Sequence, residues 1–175
     1  MMNNIFDSFS DSELDELKIT LKKFSILEYF NFLKSLYIFF LFLDNEIELK
    51  SDLEKELNTK KLLLLLEKSN LPLNEKLTVK KMIEKQKFLF SVLEKKISHN
   101  WPISRLGNLE KGILLIGTYF LYYSNSEKND KKIFNNCLNL AKATCDFSAY
   151  RIINKYLDFF YNELAFLKKE TQNGK

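Results

Sequence analysis

The sequence predicts an all-α fold, and three observations predict it. Leu14, Leu17, Leu21, Phe24 and Leu27 recur at intervals of three or four, the spacing of one face of a helix. Leucine, isoleucine and phenylalanine are abundant while β-branched valine is scarce, which favours helix over sheet. The chain has only four glycines and two prolines, so helix breakers are few and long flexible linkers are absent. No segment reads as a convincing strand.

The first helix starts at Ser10-Asp11-Ser12-Glu13, where a serine oxygen accepts an orphan N–H while Glu13 reaches back. It runs to about Leu43 and is broken by Asp44-Asn45. Ser51 caps a second helix reaching about Lys68, with the leucines of 62–66 as its buried end. Asn70-Leu71-Pro72 stops it, since proline can neither donate nor continue a helix. A long helix with lysines on its outer face follows from Asn74 to about His99. Pro102 suits the first turn of a new element, and Asn108 is placed to cap a helix beginning at Leu109. Ser124–Asp130 reads as a polar loop. Lys131–Thr144 and Ser148–Glu170 are the last two helices, ahead of a frayed tail at 171–175. The count is about seven.

A chain of 175 residues holds one domain or two small subdomains sharing a core. The division read here is an extension at 1–12 and a single helical domain at 13–170, with subdomains of about 13–100 and 101–170. The net charge is +4, compatible with RNA but not demanding it. The N-terminus is acidic and carries no secretory signal. Leu36–Leu43 is an uninterrupted apolar run but too short to span a bilayer, so no membrane is expected. Cys137 and Cys145 form no disulfide framework, and reduced thiols in a cytoplasmic protein are the plain reading.

Catalysis is not expected, and neither are a cofactor or a metal. The single histidine, His99, has no acid or base partner near it in sequence. No Cys/His set has zinc spacing, and no glycine loop cradles a phosphate. Gly112 and Gly117 lie inside an apolar run, where close helix packing is the expected role.

The segment Ile97–Tyr123, ISHNWPISRLGNLEKGILLIGTYFLYY, holds the single tryptophan, Trp101, one of two arginines and three of the four glycines. Its polar start and apolar continuation read as a turn and then a buried helix, with Trp101 packed where the subdomains meet. This segment resembles the helix-turn-helix centre of the NusB family of bacterial transcription antitermination factors. Those proteins carry a tryptophan, an arginine four residues on, a charged pair and then a buried helix. Phe134–Phe147 is similar to the family's next helix, with Asn135, Leu140, Ala141 and Lys142 in register. Ile152–Asp158 is similar to its closing helix, with Asn154, Leu157 and Asp158 matching. Lys22–Phe30 is a weaker match to the first family helix.

The resemblance implies an all-helical fold of two packed three-helix bundles and a non-enzymatic RNA-binding factor. Its ligand would be single-stranded boxA-like RNA. Its partners would be a NusE-type small-subunit ribosomal protein and the RNA polymerase antitermination complex. In the family an arginine-rich segment grips RNA phosphates; here the matching positions are Lys18, Lys22 and Lys23, which neutralise phosphate without arginine's bidentate fork. Phe30 stands where the family has tyrosine, and two readings stand for it, base stacking and core packing. Glu110 and Lys111 retain the family's charged pair. Ser148 and Ile152 occupy positions that the family gives to an acid and an aromatic on the RNA face, and Arg151 stands next to them. Leu115 and Phe120 replace an arginine and a glutamate, and Lys155 replaces a glycine. The alternatives are a protein-interaction module of the same fold with little RNA binding, or a detached NusB-like domain of a ribosomal RNA methyltransferase system.

Overall fold

The computed structural model describes residues 24–46, 51–94, 103–124 and 127–173. The expected start at Ser10, the lysines Lys18, Lys22 and Lys23, and the segment with His99, Trp101 and Pro102 lie outside them. Among the described residues there are six α-helices, one 3-10 turn and no strand.

α1 (Ile26–Glu46) does not continue a helix running through from Ser10–Glu13. The chain is non-helical at Phe24 and Ser25, and the helix begins afresh there. The Glu28 N–H donates to Ser25 Oγ (3.3 Å), and the Ser25 N–H donates to Glu28 Oε1 (3.1 Å). This reciprocal capping box satisfies two donors that the first turn leaves orphaned. Tyr29, Phe32, Leu33, Leu36, Phe39 and Phe40 form its buried face.

By length and composition alone, Ile26–Asp44 is apolar enough to cross a membrane, a longer stretch than Leu36–Leu43 suggests. In the fold it is a central helix, packed most extensively on the helix at 108–123. Tyr37, Ile38 and Leu41 face outward.

α2 (Asp52–Lys68) starts as the sequence predicts, with the Glu54 N–H donating to Ser51 Oγ. Its leucine run is not a wholly buried end. Leu62 and Leu66 are buried, while Leu64 and Leu65 are about half exposed, because consecutive residues point around a helix and only those three or four apart share a face. Asn58 Nδ2 donates to the Phe42 carbonyl at 3.1 Å, tying α2 to α1.

α3 (Leu73–Glu94) begins directly after Pro72. Its buried acid, Glu75, accepts from Asn31 Nδ2 of α1 at 3.2 Å, so the carboxylate is not left unpaired in the core. A 3-10 turn at Ile103–Arg105 follows, with Ile103 and Leu106 buried.

α4 (Asn108–Tyr123) is buried on nearly every side from Gly112 to Leu121, as a helix enclosed by neighbours must be apolar all round. It packs against α1, α3, α5 (Glu127–Thr144) and α6 (Phe147–Asn173). Its N-cap is Gly107 rather than Asn108. Asn108 instead donates through Nδ2 to Asp44 Oδ2 at 3.0 Å, pinning the start of α4 to the end of α1. The expected loop at Ser124–Asp130 is shorter, because α5 starts at Glu127 and Asp130 is a buried helical residue. α6 starts one residue before Ser148, and Asp146 Oδ1 accepts from the Ala149 N–H at 2.8 Å.

The glycines of α4 act as expected for close packing. A Cβ on Gly112 would meet Leu33 Cδ1 of α1 at 2.6 Å, and one on Gly117 would meet Leu157 Cδ2 of α6 at 2.5 Å. Phe120 sits among aromatic rings, with centroids 5.4 Å from Tyr29, 5.7 Å from Phe24 and Tyr119, and 5.9 Å from Phe32. Leu115 is fully buried as well. The two apolar replacements therefore leave no unpaired charge in the core.

Candidate functional site

The end of α5 and the start of α6 meet at a tight turn, and the charge of Glu110 at the start of α4 reaches the same corner. The end of α5 carries Lys142, Thr144 and Cys145. Asp146 turns the chain and caps α6, whose first residues are Phe147, Ser148, Tyr150, Arg151 and Ile152. The start of α4 contributes Glu110, the third residue of its helix, where a carboxylate favours the positive end of the helix dipole. Its Oε2 would lie 2.5 Å from a Cβ placed on Gly107, so the side chain folds back over the N-cap. Any side chain at 107 would displace it.

Charge from both acids reaches Cys145. Burial raises the pKa of this thiol, the Thr144 hydroxyl opposes the shift, and the negative charges of Glu110 and Asp146 add to it. Cys145 therefore holds its proton more tightly than a free cysteine does. Cys137, fully buried on α5, is pushed up further by desolvation. Among the described residues, no group of three or more His, Cys, Asp and Glu side chains is placed to hold a metal ion.

The corner separates the residues singled out by sequence. Ser148 and Arg151 are exposed, and Ile152 is half-buried against the core. Lys111 is turned elsewhere, with its Nζ 5.9 Å from the centroid of the Phe40 ring on α1, a cation–π contact between elements. Phe30 is partly exposed, with its ring packed against the core.

Two aromatic residues escape a reading of the sequence. Phe147 is 73% exposed. Its ring stacks on that of Tyr150, with centroids 6.2 Å apart and planes inclined by 22°. Arg151 Cζ lies 6.0 Å from the centroid of Phe147, and Lys142 Nζ lies 5.3 Å from that of Tyr150. The signal is present as an aromatic–x–x–aromatic–arginine string at 147–151, hidden because such spacing usually marks a core face.

Comparison with known proteins gives the frame for this corner. The model of the NusB family matches residues 37–162, which run from α1 into α6. The chain belongs to the NusB family. That family is one of non-enzymatic transcription antitermination factors, and the all-helical architecture agrees with it. The transcription antitermination protein NusB of Borreliella burgdorferi is 32% identical over 62 residues, which make up 35% of this chain and 44% of that relative. The match thus spans less than half the length of the relative. No solved structure matches. Within this NusB-family fold, α4 through the start of α6 lies wholly inside the matched region, and so does the corner.

Proposed function

We propose that the protein is an RNA-binding transcription antitermination factor. In this reading it binds single-stranded boxA-like RNA together with a NusE-type small-subunit ribosomal protein, and the assembly joins the RNA polymerase antitermination complex. The observation that carries the reading is the family match over 37–162, supported by the relative named as a transcription antitermination protein. No covalent chemistry is involved. Lys18, Lys22 and Lys23 would position the strand through its phosphates, and Glu110, Ser148, Arg151 and Ile152 would line the side on which bases are read. Lys111, turned towards Phe40, and Phe30, packed against the core, would lie at the margin of this surface.

The test is a titration of labelled boxA-like RNA with this protein, with the ribosomal partner, and with both. The reading expects the pair to bind more tightly than either alone, by a coupling of about 1–3 kcal/mol that is reciprocal between RNA and partner. Failure of the two proteins to associate, with or without RNA, would remove it.

A second reading, a protein-interaction module that has lost most RNA affinity, is favoured by one observation. Tyr37, Ile38 and Leu41 on α1 and Leu53, Leu57, Leu64 and Leu65 on α2 are exposed apolar side chains, the residue type that a partner protein covers. It predicts association with a partner protein at unchanged strength when RNA is absent.

A further inference from the structure

We infer that Phe147 and Tyr150 form a stacking platform for one or two unpaired bases of RNA, flanked by Lys142 and Arg151 as phosphate contacts. The inference rests on the RNA-binding reading above and names a subsite within it. Phe147 is a large ring at 73% exposure, in contact with Tyr150 and Arg151. It starts a helix whose first turn is capped by Asp146, and its ring is braced against Tyr150, which packs on the core. An exposed ring that is already ordered loses little entropy when a base stacks on it.

The two cations supply the matching charge. Lys142 and Arg151 sit over the two rings at 5.3 and 6.0 Å, within reach of a strand whose base lies on the platform. A guanidinium beside a ring also stacks on bases in its own right. Of the acids at the corner, Asp146 has one oxygen engaged by the Ala149 N–H, and Glu110 folds back over Gly107. The chemistry favours nucleic acid over lipid, because the platform has no broad apolar surround. Ser148, Lys142 and Ala143 beside it are exposed and small or polar.

The test measures anisotropy of a labelled boxA-like RNA with the full chain and the ribosomal partner present. It compares wild type, Phe147→Ala, Phe147→Leu and Phe147→Tyr, with melting curves confirming that each folds. Wild type should bind, Phe147→Ala and Phe147→Leu should weaken binding about tenfold, and Phe147→Tyr should restore it, since leucine keeps apolarity but has no π-face. Lys142→Ala and Arg151→Ala should each reduce the salt slope by about 0.7. Wild-type binding left unchanged by Phe147→Ala and Phe147→Leu overturns the platform while the RNA-binding reading stands. Loss of partner association without RNA in Phe147→Ala makes the ring a protein contact, and also overturns it. Absence of RNA binding by wild type under all conditions overturns both.

Discussion

Gly117 of α4 and Leu157 of α6 are in contact at the limit that two helices allow: a Cβ on the glycine would lie 2.5 Å from Leu157 Cδ2 and 3.2 Å from Cys137 Sγ. The fully buried Cys137 and Leu157 leave no space into which either could retreat. Gly117→Ala is therefore expected to destabilise the protein by about 1–3 kcal/mol, even after the helix-propensity gain of about 1 kcal/mol. At Gly112 a single methyl, Leu33 Cδ1, stands too close and the next atom, Leu36 Cβ, is at an ordinary 3.7 Å, so Gly112→Ala needs only one side-chain end to give and should lie within about 1 kcal/mol of wild type. Urea unfolding of both variants gives the comparison. An equal loss at the two sites would mean that the α4–α6 contact is no tighter than the α4–α1 contact.

Phe120 is buried at the centre of the rings of Phe24, Tyr29, Phe32 and Tyr119. Phe120→Ala should cost about 3–5 kcal/mol by leaving a cavity that four neighbouring rings cannot fill. A loss below about 1 kcal/mol in the same denaturant series would place the ring outside the core.

The capping box at the start of α1 can be tested at Ser25, whose side chain is exposed. Ser25→Ala is expected to lose about 1 kcal/mol, and Ser25→Asp or Ser25→Gly to retain most of the stability. Equal stability of Ser25→Ala and wild type would show that the helix does not begin there.

Stability should decline on the alkaline side. Burial raises the pKa of both Cys137 and Tyr29, so the folded state keeps protons that the unfolded chain releases. The favourable contribution is complete below the unfolded pKa values and is lost as pH rises through them towards the folded ones. The decline begins near pH 9 for the thiol and steepens near pH 10 for the phenol, at up to about 1.4 kcal/mol per pH unit for each group. Denaturation midpoints measured on either side of this window, at about pH 8 and about pH 10.5, check it. The slope should be shallower in Cys137→Ala and in Tyr29→Phe, whatever their absolute stability.

The lysines before α1 bear on RNA alone. Alanine at Lys18, Lys22 and Lys23 together should flatten the plot of log affinity against log salt by roughly two, at about 0.7 for each single-strand phosphate no longer neutralised. An unchanged slope would take this segment out of the RNA site.

Helix identity is legible wherever local chemistry and tertiary packing agree. Ser51 caps α2 as its side chain predicts, Pro72 ends the break before α3, and Gly112 and Gly117 mark close approaches. The sequence misleads where two local signals compete. Ser25-Ile26-Leu27-Glu28 is as good a capping box as Ser10–Glu13, but the apolar period runs unbroken through it. Asn108 is a good cap by type, yet its amide is taken by Asp44, 64 residues earlier, a pairing no local pattern displays. At the candidate site, the family resemblance points to Glu110, and Arg151 stands beside the family positions Ser148 and Ile152. Phe147 and Tyr150 are not, since a string of letters does not distinguish an aromatic facing water from one facing the core.

The two glycine contacts on α4 lie on different sides of the helix, one against α1 and the other against α5 and α6. Five residues separate them, a rise of about 7.5 Å and a rotation of about 140° beyond a full turn. Inserting or deleting one residue between 112 and 117 would swing the second gap by about 100° and drive a side chain into Leu157. The interval is thus a fixed length in a fold that elsewhere absorbs changes in its loops, and α4 admits substitution but not insertion.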